Sequence, residues 1–209
     1  MRLGTATMMR HGATEYSGVF PDLIDAGIPN IKASAADIRR RFPDTPLFVS
    51  SPADRAVATA LHVRQAYGLG WDRDQVQTIG LLRPMTVIDP RPVIAHFETV
   101  TSNITDPHEL HRVWDRFYME NEEFERGNFC ETRSSSKQRF LQFIQEILPG
   151  LCKGGRHVVG VSHCELIATA MYEWFGGECF RPAEVAHFEL YSSSHFLVEF
   201  RGEKRTVKL

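Results

Sequence analysis

The chain has 209 residues, 43% hydrophobic and 24% charged, the make-up of an ordinary globular protein of one domain, or of one domain with a sizeable insertion. Its 24 basic and 26 acidic residues leave a net charge of −2, which excludes an overall basic footprint for nucleic acid or anionic membranes but leaves room for a local basic pocket. No apolar run approaches the ~20 residues of a membrane span, MRLGTATMMRHG lacks a secretory h-region, and Cys130, Cys152, Cys164 and Cys179 show no Cys-x-x-Cys spacing, so free thiols of a cytoplasmic protein are expected rather than a disulfide frame or zinc site.

In chain order, residues 3–9 read as a strand ending at Arg10-His11-Gly12, where the glycine permits a sharp turn. Ile31, Ala35, Ile38 and Phe42 predict a helix over 30–42, and Leu47-Phe48-Val49 a short strand running into Ser50-Ser51. The next helix is expected to start with Ser51 as N-cap, Pro52 in the first turn and Asp54 completing a capping box, and to end at Gly68. Residues 76–82 read as a strand, and the proline-containing stretch 83–104 as irregular. A capped helix is expected from Asp106 to about Glu125, a loop over 127–133, and a helix over 134–149 with Phe140, Phe143, Ile144 and Ile147 on one face.

Residues 156–162 predict a strand buried on both faces, closed by His163. A helix over 165–175 stops at Gly176-Gly177, and 185–191 and 195–201 alternate like paired strands. This alternation of strands and helices argues for an α/β fold with a mostly parallel sheet. Ligands of such sheets bind beyond the C-terminal strand ends, where Arg10-His11, Ser50-Ser51 and Ser162-His163 all fall. Arg55, in the first turn of a capped helix, adds a cation to a helix N-terminus already suited to an anion. Two histidines and two arginines converging there describe a site for a dianionic phosphoryl group, with an imidazole as nucleophile. A P-loop and a His-Glu-x-x-His zinc motif are both absent from the sequence. His108 and His111, three apart, read as an exposed polar face before a metal pair, and Trp114, Phe117, Tyr118 and Phe124 as core or lid packing.

Three ordered blocks carry a family resemblance. Met9-Arg10-His11-Gly12-Ala13-Thr14-Glu15, Ser50-Ser51-Pro52-Ala53-Asp54-Arg55-Ala56-Val57-Ala58-Thr59-Ala60 and Val161-Ser162-His163 resemble the signature blocks of the histidine phosphatase superfamily, which includes cofactor-dependent phosphoglycerate mutases. Glu131-Thr132, with Arg139 and Phe140, weakly resembles a further family segment. The resemblance implies a three-layer α/β/α sandwich over residues 1–209, phosphoglycerate mutase-like, with residues 83–130 as a cap over the site. It implies His11 as the nucleophile that becomes phosphohistidine, with Arg10, Arg55 and His163 holding the phosphoryl oxygens. No metal or other cofactor is needed, because the cations are protein groups. The implied partner is a small phosphorylated substrate, without nucleic acid or membrane.

The sequence departs from the family pattern at three places. Ser17 stands where the family often has asparagine, its hydroxyl still able to contact phosphate; Cys164 stands where a glycine is usual. Leu82-Arg83-Pro84 occupies the place of the family's Leu-x-Glu, so the acid must come from elsewhere: Glu98 is the first candidate, Glu165 the second and Asp89 the third. The leading expectation is a metal-independent phosphomonoesterase. The alternatives are a phosphoglycerate-type mutase, disfavoured by the missing Leu-x-Glu, and a non-catalytic phosphate-binding regulator.

Overall fold

A computed structural model describes residues 2–14, 22–105, 113, 124, 126–176 and 180–209. Seven strands form one sheet in the order β3-β2-β4-β1-β5-β6-β7. These are β1 (Gly4–Arg10), β2 (Leu47–Ser50), β3 (Gln77–Thr78), β4 (His157–Ser162), β5 (Val185–Leu190), β6 (His195–Phe200) and β7 (Glu203–Lys208). The β3-β2-β4-β1 half is parallel and the β1-β5-β6-β7 half antiparallel. The parallel half matters for function, because it sets the C-terminal ends of β2, β4 and β1 side by side.

Helices cover both faces. Helices α1 (Ile28–Arg41) and α2 (Asp54–Ala66) pack on one side, where Met9, Phe48, Val159 and Val161 meet Ile31, Ile38, Val57 and Leu61. On the other side lie α4 (Arg133–Gln142) and α5 (Cys164–Phe175), where Ala6, Met8, Val49 and Val158 meet Phe140, Phe143, Leu166 and Ile167. Neighbours along a strand thus enter different cores, as the period-2 pleat requires. This is the three-layer arrangement expected from the sequence. Helix α4 continues through a π-turn (Phe143–Ile147) into a last turn at Leu148–Leu151.

Local expectations were revised at four places. The stretch 83–104, read as irregular, contains α3 (Pro90–Thr101). Its N-cap is Asp89, whose carboxylate accepts from the Arg91 N–H, and Pro90 and Pro92 both sit in the first turn, where a missing N–H costs no intrahelical bond. The strand expected over 76–82 is only two residues, followed by a 3₁₀ turn (Gly80–Leu82). Helix α2 begins two residues later than expected, with Ala53 as N-cap and no side-chain cap bond; the Ser51 hydroxyl instead accepts from the Ala53 N–H and from His163. Strand β7 was not foreseen; it is exposed except for Val207, so it lacks an apolar run to read. Most of the helix expected over 106–125, with His108, His111, Trp114, Phe117 and Tyr118, lies outside the described residues, as do Ser17 and Cys179. Phe124 is described and packs with Met85, Val93, Phe97 and Cys130 in a small third core.

Cys130, Cys152 and Cys164 are buried. Among the described residues, no group of side chains is set to hold a metal, and no helix is long and apolar enough to cross a membrane.

At the opposite end of the sheet from the strand-end cluster, the α1-side layer turns polar. Thr5 bonds His157 Nδ1 at 2.8 Å, and Thr7 bonds both His157 Nε2 at 3.2 Å and His187 Nδ1 at 2.8 Å. Phe42 stacks on the His157 ring at 3.7 Å. Burial, then His187 and Arg41, lowers His157 to about 3, and burial, then Arg41, lowers His187 to about 4. Unfolded imidazoles take up a proton near 6.5. As pH falls below that, the unfolded chain binds protons that folded His157 and His187 refuse, so stability declines from pH 6.5 down to about 3–4. Each site contributes a slope of about 1.4 kcal/mol per pH unit. Denaturant unfolding of H157N between pH 7 and pH 4 is expected to show a shallower loss of stability than the unmodified chain; an unchanged slope would remove His157 from this role.

Candidate active site

The first residues beyond β1, β2 and β4 share one hydrogen-bonding scheme. The His11 N–H donates to the Ser162 carbonyl at 2.9 Å, and the Ser51 N–H to the Val161 carbonyl at 2.9 Å. The ladder therefore runs one step past the strand ends, and it sets His11, Ser51 and His163 over adjacent strands.

His11 is 6% exposed. Its Nδ1–H donates to the Gly12 carbonyl at 2.7 Å, which leaves the Nε2 lone pair free to accept from Arg55 Nε at 3.3 Å. Gly12 must be small: a Cβ there would lie 2.5 Å from the buried Ile31 Cδ1. The Gly12 N–H donates to Thr59 Oγ1 at 3.1 Å, and that hydroxyl donates to the Arg55 carbonyl at 2.8 Å. One threonine, a helical turn beyond Arg55, ties the His11-Gly12 loop to α2.

His163 is fully buried and is the N-cap residue of α5. Arg55 Nη2 donates to its Nδ1 at 3.2 Å, and its Nε2–H donates to Ser51 Oγ at 2.8 Å. The two imidazole centroids are 5.1 Å apart. Burial, then the positive field of His11, Arg55 and Arg10, holds His163 well below the usual histidine range. It rests as the neutral Nε2–H tautomer.

Arg10 is 2% exposed and donates through Nη1 to the Phe180 carbonyl. Its own N–H reaches the Glu184 carbonyl, and the Ala183 N–H reaches the His11 carbonyl at 3.2 Å. The 180–184 segment thus braces Arg10 and His11 from behind. It does so through Ala183, whose φ of 63° is rare for a residue with a Cβ.

Arg10, His11, Arg55 and His163 therefore meet at one place, with the N-termini of α2 and α5 beside them. Glu98 and Asp89 do not join them: Glu98 is exposed on α3, and Asp89 caps α3 and pairs with Arg91. Glu165 does lie beside the cluster. It is 6% exposed in the first turn of α5, two residues after His163, and its Oε1 accepts the Met85 N–H at 3.0 Å. Burial raises its carboxyl above the ordinary glutamate range, against the opposing pull of its own and the Met85 N–H, Arg55 and Arg10.

The bonds made by three hydroxyl groups were not legible from the sequence. Ser51 orients His163 instead of capping α2; the Thr59 hydroxyl links Gly12 to α2; and the Ser162 hydroxyl donates to the Leu82 carbonyl at 2.8 Å, joining the site to the segment after β3. The Ser-x-x-x-x-x-x-x-Thr interval from Ser51 to Thr59 was in view, but nothing in it tells which hydroxyl meets which backbone.

This architecture is a phosphoglycerate mutase-like fold. The chain is similar to mycobacterial glucosyl-3-phosphoglycerate phosphatase at 20% identity, over 90% of this chain and 91% of that one, with a TM-score of 0.58. It is similar to phosphoglycerate mutase from Bacillus anthracis at 19% identity, over 96% and 93%, with a TM-score of 0.64. A phosphoserine phosphatase mutant from Entamoeba histolytica, solved with phosphoserine, matches at 18% identity over 97% and 94%, with a TM-score of 0.54. No protein-family model and no curated protein matches the sequence.

A dianion bound among these cations would offset the field that keeps His163 neutral. Vanadate or phosphate is expected to raise the His163 pKa, read as an upfield-to-downfield shift of its Cε1–H resonance titration; a pKa unmoved by saturating anion would place the anion elsewhere.

Proposed function

We propose that the protein is a metal-independent phosphatase of small phosphomonoesters that works through a phosphohistidine on His11. The observation that carries this reading is the position of Arg55, whose guanidinium faces His11 Nε2 and His163 Nδ1 at once. A nucleophile needs its lone pair aimed at phosphorus, and the Nδ1–H bond to the Gly12 carbonyl makes Nε2 the nitrogen that carries it. Transition-state charge on the equatorial oxygens needs fixed cations and donors, which Arg10 and Arg55 supply, joined by His163 once the bound dianion has raised its pKa and Nδ1 has taken up a proton.

In this reading the substrate phosphoryl group displaces the two weak Arg55–imidazole bonds and takes those donors for itself. His11 Nε2 attacks phosphorus in line as the bond to the leaving oxygen breaks. Water then attacks the phosphohistidine, and inorganic phosphate is released. Residues 83–130 act as the cap that sets which leaving group enters, and Ser17 as a further phosphate contact. A cleft of about 270 Å³ beside Arg55, walled by Leu23, Val57, Leu61 and Trp71, suits a small molecule better than a folded partner.

The likeness to a phosphoglycerate mutase supports a second reading, phosphoryl transfer back to an organic hydroxyl instead of water. A coupled mutase assay with bisphosphoglycerate separates the two: phosphate release without isomerisation is expected.

Incubation with a 32P-labelled phosphomonoester is expected to give acid-labile, base-stable label on the chain and release of free phosphate. H11A should lose both, with turnover down by at least about 10⁴-fold. Label that persists in H11A would remove the nucleophile assignment, and binding of phosphate without turnover in the unmodified chain would make the protein a phosphate-binding regulator.

A further inference from the structure

We propose that Glu165, from the first turn of α5, is the general acid and base of this site, doing the work that the Leu82-Arg83-Pro84 segment has no carboxylate to do. The inference rests on the phosphohistidine reading above and names the proton carrier for it.

The geometry is specific. Pro84 has neither a carboxyl group nor an N–H, but the next residue, Met85, has an N–H, and Glu165 Oε1 accepts it at 3.0 Å. A carboxyl group is thus present beside this segment, delivered from α5 instead of from the segment itself. Glu165 stands two residues from His163 at the start of the same helix, and Arg55 and Arg10 both act on it electrostatically. It is buried, and its burial favours the protonated form that an acid must have before the reaction.

The segment that receives Glu165 is held on both sides of Met85. Arg139, on α4, donates to the carbonyls of Leu81 at 2.9 Å and Arg83 at 3.1 Å. It also grips Glu131 through two bonds of 2.7 and 2.9 Å. Glu131 in turn accepts from the Thr86 N–H at 3.1 Å and from Arg83 at 3.0 Å. Burial alone would raise Glu131, but the bonds from Arg139, the Thr86 N–H and Arg83 together outweigh it and hold the carboxyl down at about 2, so it stays charged and the grip persists across the working pH range. Arg139 and Glu131 are positioning residues for Glu165. They fix the backbone that aims its carboxyl group.

The proton balance closes without another reactant. As the His11 Nε2–P bond forms and the P–O bond breaks, the Glu165 carboxyl gives its proton to the leaving oxygen and the alcohol departs. The Glu165 carboxylate then takes a proton from the attacking water as the new P–O bond forms and the N–P bond breaks. Phosphate leaves and Glu165 is protonated again.

The test is E165Q, which keeps an oxygen for the Met85 N–H but carries no transferable proton. Against an alkyl phosphomonoester, kcat/KM is expected to fall about 10²–10⁴-fold. Against p-nitrophenyl phosphate, whose leaving group needs no proton, it should fall far less, and labelled phosphohistidine should accumulate because the water step has lost its base. The alkaline limb of the alkyl phosphatase profile should disappear in E165Q although Arg10, Arg55, His11 and His163 are all retained. R139K should keep Glu165 but steepen the dependence on leaving-group pKa. Equal losses on both substrates, or no loss, would overturn the assignment. Should E165Q fail to fold, infrared spectra of the unmodified chain with 13C-labelled glutamate decide: no protonated glutamate band at pH 6 also overturns it. A failure of this proposal is separable from that of the reading beneath it. An unmodified chain that never labels on His11 defeats the phosphohistidine, whereas normal labelling with a wild-type leaving-group profile in E165Q defeats Glu165 alone.

Discussion

One guanidinium organises this site. Arg55 donates to His11 Nε2 and His163 Nδ1 together, so both imidazoles must present a lone pair toward the same cation. That forces the other nitrogen of each ring to be the one that carries hydrogen and to find an acceptor. His11 finds the Gly12 carbonyl and His163 finds Ser51 Oγ. The tautomers of both histidines follow from this one contact. The arrangement exists only because β1, β4 and β2 are parallel neighbours, which brings His11, Ser51 and His163, far apart in sequence, to a common edge.

Such a cluster is electrostatically incomplete on its own. Arg10 and His163 are buried, and burial of charge is costly unless it is compensated. The protein compensates in part through carbonyls, such as that of Phe180 for Arg10, and in part by keeping His163 neutral. In the proposed reading a phosphoryl dianion supplies the rest, and the positive N-terminal ends of α2 and α5 add to its attraction. Affinity for an anion is in this sense stored in the unliganded fold. A net charge of −2 for the whole chain conceals it, because the local field depends on which few charges share one crevice.

Two irregular segments support the strand-end cluster from outside the sheet. Residues 180–184 hold the backbone of Arg10 and His11, and accept a left-handed Ala183 to do so; that residue's carbonyl is tied down by the Ser34 hydroxyl at 2.7 Å. Residues 81–86 meet Ser162 and Glu165 and are fastened to α4 by Arg139 and Glu131. Neither segment contributes a cation to the site. Both convert loop backbone, which would otherwise drift, into fixed donors and acceptors, as a preorganised site requires.

Periodicity and local chemistry were enough to read most of the core strands and helices, because each buried element carries its own apolar repeat. They were also enough to place Arg10, His11, Ser51 and His163 at strand ends and Arg55 in the first turn of a helix, since a polar cluster closing an apolar run is a local pattern. Helix α3 was missed because its prolines look like breakers until Asp89 is seen to cap it, and β7 because a strand exposed on nearly every residue has no hydrophobic signature. Which of the candidate carboxyl groups stands beside the site was not legible. Glu98 and Glu165 are equivalent as letters in a sequence. Burial and a hydrogen bond across 80 residues to Met85 distinguish the second, whereas the first faces solvent. Burial and long-range hydrogen bonds depend on how elements pack, and it is they, not residue type, that shift a carboxyl group's proton affinity and so its chemistry.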